Sequence, residues 1–273
     1  MRAWRGALPW VGGAVLLLLL LASWLHEPLA SWPVLPECPF GPDPTYPTTD
    51  TVCGRTLVGL RRSVAVGLFA GAAAAGVALA LALMGRRLGP WVDGLLARIA
   101  DLAFTLPDVL VLIVIAFVVG LLRDAHAGFR PDALLVMVVS LTVVGWAAPT
   151  RMLQRRLATL ASQDFIVAAR ALGASETRIL VRHLLPFAWD YVLAIFLLRV
   201  PAVILAESTV SFLGFGLPPR EASLGTYIGL NSAALLRSAW EVMVPALLLL
   251  FLVVLSFQWL GEGLLGRARR RET

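Results

Sequence analysis

Arg199 and Glu207 are the residues in this sequence whose placement most directly suggests chemistry. Arg199 falls about midway through a long apolar run, where a charge is costly and by default faces a water-filled path or a carboxylate. Asp108 and Glu207 are the candidate carboxylates. Glu207 lies about 12 Å further along the same helix at ~1.5 Å per residue, too far for a direct pair within it. Arg199 and Glu207 are thus candidates for the lining of a translocation path, with a structural ion pair between helices as the competing reading for Arg199. The two cysteines, Cys38 and Cys53, suggest a disulfide if their segment faces an oxidising compartment. On the chain-entropy model, closing a loop of about 15 residues contributes ~3 kcal/mol. Enzyme chemistry finds little to work with. There is no HExxH or GxSxG motif, and His26, His126 and His183 are scattered along the chain. All 23 cationic residues are Arg, so a P-loop, whose Lys reaches the β/γ-phosphates, cannot be built.

The elements that must carry these residues follow from composition. Of 273 residues 59% are hydrophobic, and mean hydropathy is +0.83. Soluble domains run at about 45–50% apolar. The expected fold class is therefore all-α, a polytopic membrane protein. Six segments can cross about 30 Å of hydrocarbon as helices: 8–25, 63–84, 102–122, 133–150, 187–206 and 240–260. The first is expected to be an uncleaved anchor, since no clear small-x-small site follows it closely. The net charge of +6 sits in clusters at span ends, which argues for membrane topology and against nucleic acid. Fifteen arginines fall on the side of the N-terminus and seven on the other. That bias puts both termini in the cytoplasm. Tryptophans near span ends read as interfacial belts rather than a ligand cage.

The expected organisation is an anchor at 1–25, an external loop at 26–62, a core at 63–265 and a basic tail at 266–273. The loop holds the Cys pair and seven prolines between Pro28 and Pro47, so it should be extended. The core contains a loop at 160–186 facing the cytoplasm and an external loop at 207–239.

The 160–186 loop is not featureless. Phe165, Ala168, Ala169 and Leu172 share one helical face. Ser162 is a candidate N-cap, with Asp164 in the first turn. Gly173 stands where a left-handed residue ends a helix. Ser175 can cap a second helix containing Glu176 and Arg178, and Pro186 is expected to stop it. Two short helices meeting at a glycine corner could dock onto another surface or simply lie on the bilayer.

Residues 167–186, VAARALGASETRILVRHLLP, resemble the EAA loop of the permease subunits of ABC importers, E-A-A-x3-G-x9-I-x-L-P. Ala168, Ala169, Gly173, Leu185 and Pro186 match it, while Val167 replaces the Glu and His183 the Ile. ESTVSFLGFG at 207–216, GRTLVGLRRSVAVG at 54–67 and PWVDGLLARIADLAFTLPDVL at 90–110 are similar to the dipeptide/oligopeptide branch. PPREASLG departs from it, with Leu224 in place of the usual Trp.

The resemblance implies a type I ABC importer permease fold with a cytoplasmic coupling helix. That helix would sit in a groove of a cytoplasmic ATPase, and two ATPases would rock paired permeases between inward- and outward-facing states. Ala168, Ala169 and Gly173 would shape the docked helix. Asp164, Arg170, Glu176 and Arg178 would make polar contacts around it. The implied partners are two ATPase subunits, a second homologous permease and an extracytoplasmic solute-binding protein. No cofactor is expected on this chain, ATP and Mg residing on the ATPases. Peptides are the expected cargo. Nickel-chelate or other small-solute import shares the branch's motifs, and a channel without ATP coupling is the rival from another class.

Overall fold

The computed structural model describes residues 2–29, 51–125, 131–233 and 240–270. Among these, every regular element is helical: α1 (Arg2–Leu29), α2 (Val52–Leu88), α3 (Pro90–Ala103), α4 (Asp108–Ala125), α5 (Ala133–Gly145), α6 (Ala147–Ala161), α7 (Asp164–Ala171), α8 (Glu176–Ile179), α9 (Leu185–Phe212), α10 (Leu224–Leu230) and α11 (Val244–Arg270). Four continuous helical stretches are long and apolar enough to cross a membrane. Two bent pairs, α3–α4 at 83° and α5–α6 at 47°, bring the candidate spans to six when each pair counts as one.

The third span differs from its expected 102–122. Residues 104–107 form a turn, with Pro107 ahead of α4, so the crossing part starts at Asp108. Proline disfavours helical backbone at the residue before it, which explains the break. Residues 52–62, expected in the external loop, are the first turns of α2. Thr51 caps that helix, its hydroxyl accepting from the Gly54 amide at 3.2 Å.

The core forms around α2 and α9. Ala70, Ala74, Ala78 and Ala82 recur every fourth residue on α2 with no exposed surface. A side chain at Gly67 would stand 2.6 Å from Ile204. Small residues at this spacing let helix backbones approach closely where lipid supplies no hydrophobic drive. α1 packs antiparallel on α11, with Gly12 against Ser256 and Gly263 against Pro9. The starting part of α1 and the end of α11 therefore share one side of the molecule. Arg267 stacks over Trp10 there, and Arg61 over Trp24 at the opposite end, each at 5.5 Å.

Candidate functional site

The loop between the fourth and fifth spans folds as two short helices. α7 and α8 meet at Gly173, whose φ of +87° only glycine adopts without steric cost. The Gly173 amide donates to Arg170 O at 3.0 Å and the Ala174 amide to Ala169 O at 3.1 Å. That is a Schellman closure. Ser175 caps α8, accepting from the Arg178 amide. Arg170 grips Glu176 across the corner through Nε at 2.6 Å and Nη2 at 3.3 Å. This pairing raises the Arg170 guanidinium above its ordinary value.

The expected cap at Ser162 is not formed. Ser162 ends α6, donating to Thr159 O, and Gln163 precedes α7 without a side-chain bond. The anchor of α7 is Ile166, fully buried in a cluster with Leu153, Leu157, Ile179 and Leu184. Most of the predicted apolar stripe faces outward: Phe165, Ala168 and Leu172 are exposed and Ala169 is half-buried. Leu172 is 89% exposed at the corner. Asp164, Arg178 and Pro186 are exposed as well.

Pro186 does not stop the helix as expected. α8 runs through a π-helical turn at Leu180–Leu184 into α9, the Leu185 amide donating to Leu180 O. A proline ring collides with the carbonyl four residues earlier in an α-helix. Widening the turn just ahead of Pro186 gives that ring room.

Arg199 is half-buried on α9, and its Nε is buried without a hydrogen-bond partner. The guanidinium fills the space beside Gly145, where a Cβ would stand 2.6 Å from Nη2. Trp146 follows, at the α5–α6 bend, and Pro201 lies two residues on in α9. Among the described residues Asp108, at the start of α4, makes no hydrogen bond or ion pair with Arg199. Arg199 thus stands beside the α5–α6 bend.

Glu207 is elsewhere and engaged. Its side chain is fully buried and receives the hydroxyls of Ser211 and Ser223 at 2.6 Å and of Ser63 and Ser208 at 3.4 Å. Ser63 also accepts from the Leu224 amide at 3.1 Å, and Ser223 caps α10 by accepting from the Thr226 amide. Glu207 therefore ties α2, α9 and α10 together. Nothing in the sequence pattern singles out these serines, although Ser63 and Ser211 fall in the motif stretches at 54–67 and 207–216 and Ser223 in PPREASLG.

Two further polar links pin α3 to α6. Gln154 donates to Asp93 at 2.8 Å, and Arg151 pairs with Asp101 at 2.9 Å. Cys53, in the first turn of α2, is disulfide-bonded, while Cys38 lies outside the described residues.

These features define a class: a polytopic helical membrane protein with an exposed, glycine-cornered helix pair between its fourth and fifth spans and an unsatisfied arginine inside the fifth. The chain belongs to the family described as "Binding-protein-dependent transport system inner membrane component", which it matches over residues 67–270. It is similar to the oligopeptide transport system permease protein OppC of Mycobacterium bovis, 31% identical over 210 residues, covering 77% of this chain and 69% of the relative. It is also similar to the OppC protein of Bacillus subtilis, 29% identical over 214 residues, covering 77% and 65%.

Proposed function

We propose that the chain is the permease subunit of an ATP-driven importer of di- and oligopeptides. The observation that carries this reading is the α7–α8 corner. A buried Ile166 fixes it to the bundle while Ala168 and Leu172 present an apolar face outward. A rigidly rooted, exposed helix pair is what a moving partner needs in order to transmit a two-state change. The peptide cargo is supported by the relatives named for oligopeptide transport.

On this reading two cytoplasmic ATPases dock at the α7–α8 corner of the 160–186 loop and hold ATP and Mg, so the nucleotide chemistry is theirs. Asp164, Arg178 and the Arg170–Glu176 pair surround the docking face. Pro186, through the π turn it imposes, sets the angle at which α8 enters the fifth span. A second homologous permease completes the path, and a solute-binding protein delivers cargo to the far side. The excess of arginine on the side shared by both chain ends supports a cytoplasmic N- and C-terminus. Arg199 faces the path, where its free hydrogen-bonding capacity suits a carboxylate of the cargo.

The test is uptake by proteoliposomes containing the assembled complex and its binding protein. ATP-dependent accumulation of labelled di- or tripeptide is the expected result. Uptake of a nickel chelate instead would replace the cargo class. Solute flux that ignores ATP would overturn the reading.

A further inference from the structure

The π turn shapes a groove of about 490 Å³ on the outer surface of the bundle. One wall is the end of α2, through Leu83, Met84 and Leu88. The other is the π turn with the first residue of α9, through Leu180, Val181 and Leu185. Met84, Leu88 and Val181 are substantially exposed. Arg87 supplies the charge, at the rim. It is exposed and has no hydrogen-bond or ion-pair partner among the described residues. Its neighbour Arg86 interacts with Glu176, and Glu176 is committed to Arg170. The nearby carboxylate is therefore already taken. Trp91, 78% exposed, stands four residues on. An exposed Trp beside arginine at a span end marks the headgroup level of a bilayer.

We infer that this groove binds an anionic phospholipid, its acyl chain between α2 and the π turn and its phosphate on Arg87. Apolar walls under a free guanidinium match such a lipid in both parts. Because the second wall is continuous with α8, the lipid would brace the arm that carries the α7–α8 corner. The inference rests on membrane placement and goes beyond the cargo and ATPase reading.

The experiment is native mass spectrometry of the assembled complex released from nanodiscs containing phosphatidylglycerol and phosphatidylcholine. A basic residue near a membrane surface is worth about fivefold in anionic-lipid affinity, so wild type should retain phosphatidylglycerol about fivefold over phosphatidylcholine. Arg87→Gln should abolish that preference and Arg87→Lys should keep it. Met84→Trp, which fills the groove and leaves the charge, should remove the retained lipid. Unchanged phosphatidylglycerol retention in both Arg87→Gln and Met84→Trp would overturn the inference. So would cross-linking of a Val181→Cys variant to another subunit, which would show protein covering the groove. Neither outcome bears on whether peptide drives transport.

Discussion

Ser223→Ala removes one hydroxyl that does two jobs. Its oxygen donates to the buried Glu207 carboxylate at 2.6 Å and accepts from the Thr226 amide at the start of α10. Leaving a buried acceptor without its partner costs about 1–3 kcal/mol, and a helix cap contributes about 1 kcal/mol. One oxygen serves both, so the two do not simply add, and the expected loss is about 2–3 kcal/mol. At ~1.4 kcal/mol per tenfold, α10 should open about 30- to 150-fold more often. Hydrogen–deuterium exchange of peptides covering 224–230, measured in the assembled complex, reads that opening directly. Ser208→Ala is the control. Its hydroxyl reaches Glu207 at only 3.4 Å, so only about a twofold effect is expected, at the lower end of hydrogen-bond energies. Equal exchange in the two variants, or no acceleration in Ser223→Ala, would refute the assignment of Glu207 as the tie between α9 and α10.

Other substitutions probe separate parts of the account. Gly225→Val should abolish accumulation of assembled complex, because a Cβ there falls onto the Ser208 backbone; immunoblotting of membranes checks this. Ile166→Ala should cost about 2–5 kcal/mol by the usual cavity penalty and expose 164–171 to limited proteolysis while the spans stay intact. Arg199→Gln should lower peptide uptake at least about tenfold, as expected from losing one charge-assisted contact to cargo, without lowering the yield of complex.

The six crossings were legible because hydropathy is a property of each segment taken alone. The glycine corner was legible for a similar reason: Gly173 and Ser175 act within one turn of themselves. What stayed hidden depends on partners far away in sequence. The bonding of Glu207 could not be read locally, because its donors Ser63 and Ser223 come from α2 and the segment between α9 and α10. The amphipathic pattern of α7 gave the stripe but not its direction, since burial of Ile166 is decided by α6 and α9. The ion pair of Asp101 with Arg151 of α6 could not be read from its own neighbours either. Pro186 signalled a stop by local rules, yet packing of the fifth span kept the helix continuous at the expense of a π turn. The 83° bend before α4 was marked by Pro107, but a hydropathy window averages over it.

The central claim is that the α7–α8 corner couples ATP hydrolysis to transport. It is tested most directly by ATPase activity of the reconstituted complex, with its binding protein empty or peptide-loaded, in wild type and Gly173→Pro. Proline holds φ near about −65°, whereas this corner requires +87°. Wild type should be stimulated by the loaded binding protein, and the assembled Gly173→Pro complex should not respond to it. Equal stimulation in the two would contradict the account.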